Sequence, residues 1–191
     1  MSTPGAQTEA ILIAKAQNGD RNAYGELVQC HYPYVVNVVY QMCGDAELAQ
    51  DATQEAFIRA WLHLPTFRPG TSLRNWLYRI ATNAALDVLR RDVKTSEADI
   101  EALAIPDVQA GPEAALLQKE RAIAVQQAVL MLTEATRTVL VLREYGGLSY
   151  QEISATLDIP LGTVMSRLSY ARYQLKQLLA SQLIQEEAEN D

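Results

Sequence analysis

The sequence predicts an all-α chain: two small helical domains joined by a flexible acidic linker, the second carrying a helix-turn-helix. Three observations predict it. Apolar residues recur at helical spacing on both sides of one stretch, Asp92 to Gly111, where all periodicity is lost. Aspartate, serine and glycine stand where helices of those lengths need caps. A chain of 191 residues with 49% hydrophobic content can bury one moderate core or two small ones.

Composition narrows the function classes. The mean hydropathy of -0.08 is that of a soluble globular protein, and no apolar run approaches the roughly 18 residues that span a bilayer. The start Met1-Ser2-Thr3-Pro4-Gly5 lacks a basic segment followed by an apolar core, so a cytoplasmic placement is expected. Cys30 and Cys43 both fall inside helical pattern and read as buried small hydrophobes. With only His31 and His63 besides, no zinc spacing exists, and neither metal nor other cofactor is expected.

The net charge of -7 is unevenly placed. Asp92 to Glu113 sets six acids against Lys94 alone, and Ser181 to Asp191 adds four acids and no base. What remains is slightly basic, which leaves both helical bodies free to meet phosphate. The plainer reading is that both runs only solubilise.

Glu9 to Gln17 is a short helix with Ile11, Leu12 and Ala16 as its apolar residues, stopped by Gly19. Asp20 caps the next helix, which turns Leu27, Tyr34, Val35, Val38, Val39 and Met42 to a core and is expected to bend at Pro33. Gly44 ends it and Asp45 begins a third. There Ala49, Ala52, Ala56 and Ala60 form one stripe that lets a neighbouring helix approach closely. A second stripe mixes Asp51, Gln54 and Glu55 with Ile58 and Leu62. Apolar anchors inside a charged rim are how one protein offers a helix to another, although packing under the linker or the other domain would also account for them.

Pro65 to Ser72 is a loop by its prolines and glycine, and Ser72 can cap a helix from Leu73 to Arg91. Leu73, Leu77, Ile80, Ala84 and Val88 form its buried stripe. Beside them Trp76, Arg79, Asn83, Asp87 and Arg90 form another. An aromatic face stacks on any base, an amide offers a paired donor and acceptor, and arginines hold the backbone, so this stripe suits unpaired nucleic acid. Trp76 flanks the core stripe, which leaves core packing and base stacking both open. Phe67 reads as a loop anchor, and Asn83 is the better base contact.

Past Gly111-Pro112 the helical pattern resumes with Ala114, Leu117, Ala124, Ala128 and Leu132, then with Val139, Leu140 and Leu142 in a helix from Glu134 to Tyr145. Ser149-Tyr150-Gln151-Glu152 is a capping box that starts a short helix burying Ile153 and Leu157. Asp158-Ile159-Pro160 stops it. From Leu161 a last helix buries Val164, Leu168, Ala171, Leu175 and Leu178. Its other face holds Thr163, Ser166, Ser169, Tyr170, Tyr173 and Lys176, flanked by Arg167 and Arg172, which is a recognition-helix surface.

Three of these segments carry a resemblance. Gly147 to Ile153, followed by Pro160-Leu161-Gly162-Thr163-Val164 and Ser166-Arg167-Leu168, resembles the promoter-binding C-terminal domain of bacterial sigma factors. Asp51-Ala52-Thr53-Gln54-Glu55-Ala56-Phe57 resembles their segment that docks on the clamp helices of the polymerase largest subunit. Leu73 to Asn83 resembles their helix that captures the minus-ten element as it melts, the preceding loop cradling a flipped base. The family is the sigma-70 type, in its short extracytoplasmic-function (ECF) group.

The resemblance implies a domain at 1-91 for core polymerase and the minus-ten element, a linker at 92-112, a minus-thirty-five domain at 113-180 and an acidic tail at 181-191. Core polymerase would meet Asp51, Gln54, Glu55, Ile58 and Leu62, and also engage through its β-subunit flap. Melted minus-ten DNA would meet Phe67, Arg68, Ser72, Trp76, Arg79, Asn83, Arg90 and Arg91. Duplex minus-thirty-five DNA would meet Gly162, Thr163, Ser166, Arg167, Ser169, Tyr170, Arg172 and Lys176. An anti-sigma factor, in many members membrane-anchored, would hold the protein inactive at the inner membrane face. No small-molecule substrate is implied.

Met165 and Tyr170 stand where many members have Arg or Lys, which removes charge-assisted contacts to guanine. Two other classes fit parts of the pattern. A ligand-controlled repressor would share the C-terminal motif but should build a pocket or dimer surface in its N-terminal half. An enzyme on a helical scaffold lacks any converging reactive set.

Overall fold

The computed structural model describes residues 6–68, 71–92 and 112–189. They form α1 (Ala6–Gln17), α2 (Arg21–Cys43), α3 (Ala46–His63), α4 (Leu73–Asp92), α5 (Pro112–Leu130), α6 (Glu134–Glu144), α7 (Tyr150–Leu157) and α8 (Leu161–Glu189), with a 3-10 turn at Leu64–Thr66. The first four helices pack as one body and the last four as another, and α2 and α4 of the first lie against α5, α6 and α7 of the second. Buried apolar side chains run continuously from one body into the other.

Caps fix where the helices begin. The Asp20 carboxylate accepts the Asn22 and Ala23 N–H groups, and that of Asp45 accepts the Leu48 N–H. Gly44 ends α2 at a φ of 75°, and its N–H is received by the Tyr40 carbonyl. A side chain there would fail twice, because an added Cβ would also stand 2.3 Å from a Leu130 methyl of the second body. The four alanines of α3 are buried, which brings its backbone close to α2 and α4.

The sequence reading needs several corrections here. Tyr34, read as facing a core, is exposed at the margin of its helix's apolar face, and Ile11, an apolar residue of the first helix, is exposed as well. Pro33 sits inside α2 without interrupting it. Helix α4 runs through Asp92 and α5 begins at Pro112, a residue suited to a first turn, so both ends of the expected linker are helical. The rest of that linker, 93–111, lies outside the described residues, as do Pro69 and Gly70. The expected acidic tail continues α8 as helix to Glu189.

In α4 the buried face is wider than one stripe, because Tyr78, Ala81, Thr82 and Ala85 are also covered. Tyr78 lies beneath Gly146, where an added Cβ would come within 3.2 Å of the Tyr78 ring and 2.7 Å of the Leu142 carbonyl. In the second body Ser149 and Glu152 form the expected reciprocal box. Asp158 closes α7 in the left-handed region at a φ of 54°, and the Ser154 hydroxyl donates to the Ile159 carbonyl across the turn. Val164, Leu168 and Ala171 of α8 then pack with Val139, Leu142 and Ile153.

Candidate nucleic-acid and protein interfaces

Three surfaces carry the residues singled out by sequence. On α3, Ile58 and Leu62 are 62% and 67% exposed, and Asp51 and Gln54 are exposed beside them. None of the linker or second-body residues described covers this stripe. Glu55 is differently placed. Its carboxylate receives Arg59 at 2.5 Å and Arg91 at 2.9 Å, and those bonds hold its pKa below the ordinary carboxylate value. Arg59 also donates to Asp87 at 2.8 Å, so α3 and α4 are tied by a charge network at the edge of the stripe.

On α4, Arg79, Asn83 and Arg90 are exposed, and the Ser72 hydroxyl caps the helix by accepting the Asn75 N–H. Trp76 is half-buried, its ring centroid 5.1 Å from that of Phe67. Phe67 itself is only 5% exposed, which corrects its expected place among the DNA contacts. A buried ring packed on Trp76 has no free face for a base; it can only position its neighbour. Arg68 is exposed at the loop. Arg90 meets Glu134 of the second body at 2.8 Å, and Arg91 is engaged by Glu55.

On α8, Gly162, Ser166, Ser169, Tyr170, Tyr173, Arg172 and Lys176 are exposed, with Thr163 and Arg167 partly covered. The Gln174 amide donates to the Tyr170 hydroxyl at 2.8 Å, fixing the phenol on the outer face. Arg172 is shared with Glu144 at 3.1 Å and the Tyr150 hydroxyl at 3.4 Å. Met165 adds a 54% exposed apolar side chain to the same surface.

Sequence reasoning missed the seam between the bodies. Asn75 donates to Glu152 at 3.1 Å, and Gln126 donates to the Gln41 carbonyl at 3.4 Å. Arg137 donates to the Met42 carbonyl at 2.9 Å and also to the carbonyls of Leu130 and Leu132. One signal was available. Helix α2 has no basic residue in its last turn to meet its final carbonyls, which leaves them open to donors from another element. Among the described residues no cluster of acids, histidines and cysteines could hold a metal ion.

The description "Sigma-70 region 2" fits residues 27–95 and "Sigma-70, region 4" fits residues 122–175. RNA polymerase sigma-H factor of Pseudomonas aeruginosa is 37% identical over 174 residues, covering 84% of this chain and 88% of that protein. ECF RNA polymerase sigma factor SigW of Bacillus subtilis is 34% identical, over 87% and 94%. Among solved structures, CnrH in complex with the cytosolic domain of CnrY superposes with a TM-score of 0.69 at 27% identity, over 91% of this chain and 98% of that one. The sigma factor RpoE of Bartonella quintana, in complex with the anti-sigma factor NepR, gives 0.66 at 26%, over 82% and 96%.

These likenesses correct one expectation. The bare description of the chain as cytoplasmic does not stand alone beside the allowance for an anti-sigma factor at the inner membrane face, because the similar CnrH is solved on the cytosolic domain of another protein, CnrY. Of the chain itself, no helix among the described residues is long and apolar enough to cross a membrane.

Proposed function

The chain belongs to the sigma-70 family of RNA polymerase sigma factors, in its ECF group, and from that membership we propose how its surfaces divide the work. It is not itself an enzyme. It binds core RNA polymerase, directs it to promoters and is regulated by an anti-sigma factor.

Residues 1-91 form the polymerase and minus-ten domain, and 113-180 the minus-thirty-five domain. Ile58 and Leu62, apolar anchors beside Asp51 and Gln54, dock on the polymerase clamp helices. Glu55 serves that surface indirectly, by holding Arg59 and Arg91. On α4, Asn83 and Arg79 take the unpaired strand, Trp76 stacks at its edge, and Arg68, Ser72, Arg90 and Arg91 hold backbone phosphate.

On α8, Ser166, Ser169 and Tyr170 face bases, while Gly162 and Thr163 bring the helix start close to the duplex. Arg167, Arg172 and Lys176 hold phosphates. An anti-sigma factor keeps the chain inactive, and a membrane-anchored one would hold it at the inner membrane face.

The observation that supports this reading best is the exposure of Ile58 and Leu62, two large aliphatics with no described neighbour to bury them. In vitro transcription tests it. Purified chain added to bare core enzyme should start RNA synthesis at discrete sites across a fragmented bacterial genome, and no specific start on any template defeats the reading.

A further inference from the structure

Gln17 closes α1 and belongs to none of the three surfaces described above, yet its side chain is half-buried. Its amide is directed at a distant part of the chain. Nε2 donates to the Leu64 carbonyl at 3.0 Å and to the Phe67 carbonyl at 2.8 Å, reaching 47 and 50 positions along the sequence. Only the nitrogen end of an amide can face two carbonyls, so its orientation is fixed by chemistry. We propose that Gln17 is a positioning residue for minus-ten capture: it braces the loop that leads into α4, and so sets where that loop offers the exposed Arg68, Thr71 and Ser72 to the unpaired strand. The brace follows from geometry alone, whereas its use in promoter capture rests on the sigma-factor reading.

The loop's own bonds act locally. The Phe67 N–H closes the 3-10 turn on the Leu64 carbonyl at 3.0 Å, the Thr66 hydroxyl donates to the His63 carbonyl at 2.7 Å, and the Thr71 hydroxyl donates to the Arg68 carbonyl at 2.8 Å. Each spans three residues and shapes a turn. Leu64, 1% exposed, anchors the start of the turn in the core, and Gln17 ties the end of it to that anchor. Its bond to the Phe67 carbonyl also holds the plane of the peptide that joins Phe67 to Arg68. Phe67 is thereby fixed twice, by its carbonyl from α1 and by its buried ring packed on Trp76 of α4. Between them they set the direction in which Arg68 leaves the body.

A brace needs a firm support, and α1 has one. Leu12 and Ala16 are buried in the core, Glu9 meets the buried His31 of α2 at 2.8 Å, and Gly19 stops the chain's helical course at a φ of 91° just beyond Gln17. Held along its length, α1 keeps the amide at a set distance from the loop. Recognition geometry must hold within about 0.5 Å, so a loop freed from two of its fixed points loses base discrimination before the body loses its fold.

Two substitutions test this. Gln17→Met keeps the length of the side chain and removes both donors, while Gln17→Glu keeps its shape and sets a carboxylate against two carbonyls. In the free chain, hydrogen exchange at the Phe67 N–H, read by NMR, should quicken by on the order of tenfold in both variants, with the Leu48 N–H at the α3 cap unchanged. For function, the full chain is assembled with core enzyme on a promoter fragment recovered from the transcription test above and pre-melted at minus ten. At its most selective minus-ten position the parent should disfavour a changed base by about tenfold or more, and each variant by less than about twofold. Discrimination at minus thirty-five and affinity for core should not move. Variants that keep the parent's minus-ten discrimination, that lose discrimination at both elements alike, or that leave exchange at Phe67 unchanged would each overturn the proposal. Faster exchange in both variants, in chains none of which binds core, would leave the brace standing and sink the sigma-factor reading instead.

Discussion

Asn75 donates its side-chain amide to Glu152 Oε1 at 3.1 Å, joining residues 77 positions apart. The bond links the first turn of α4 in one body to the capping box of α7 in the other. Glu152 already receives the Ser149 N–H at 2.8 Å and the Ser149 hydroxyl at 2.7 Å, so three donors converge on one carboxylate. They hold its pKa down at about 2, the Ser149 backbone bond contributing most.

That depression makes Glu152 a source of pH-dependent stability. Its folded-state pKa lies below the ordinary value of 4.5, so its contribution is complete above pH 4.5 and is lost as pH falls toward 2. Glu152→Gln keeps the shape of the protonated acid. At pH 7 it should be less stable by about 1 kcal/mol, the difference between charged and neutral hydrogen bonds. In urea melts the gap to the parent should shrink steadily below pH 4.5; a gap that stays constant down to pH 2.5 would contradict the assignment.

The helices were legible because each carries its own period and caps. The Asp20, Asp45 and Ser149 caps need only neighbours within three residues, and all three fall where the sequence puts them. The seam was not legible, since nothing local distinguishes Tyr78 or Arg137 from ordinary helix residues. Tyr78 is buried by Gly146, 68 positions on in sequence, and Arg137 by the end of α2. The same blindness misplaced Phe67, whose burial depends on its packing with Trp76. For the proposed contacts, residue chemistry on a stripe was readable, but the pairing of Glu55, Arg90 and Arg91 with distant charges was not.

Close approach of α3 should make its alanines intolerant of bulk. Ala52 is fully buried, and Ala52→Leu would force three extra carbons into a packed seam. A loss of about 1 to 3 kcal/mol in denaturant melts is expected. An unchanged midpoint would mean that α3 has room the structure does not show.

The exposed stripe of α3 should behave in the opposite way. Asp51→Lys combined with Ile58→Glu alters only exposed side chains, so stability should move by no more than about 0.5 kcal/mol per site. Pull-down by core polymerase should nevertheless be abolished, because an apolar anchor is replaced by a charge at the centre of the contact. Retention of core enzyme by a well-folded double variant would place the docking surface elsewhere.

On α8 two kinds of contact should separate by salt and by sequence. Lys176 is exposed and carries its charge on a flexible stem, so Lys176→Ala should weaken every duplex alike and reduce the slope of log affinity against log salt by about 1. Tyr170 is held outward by Gln174, and its hydroxyl and ring can meet a base edge. Tyr170→Ala should leave the salt slope unchanged and cost about 1 to 3 kcal/mol of discrimination between the preferred minus-thirty-five sequence and a single-pair variant. A Tyr170→Ala chain that lost salt dependence instead would show the helix docked with a different face toward the groove.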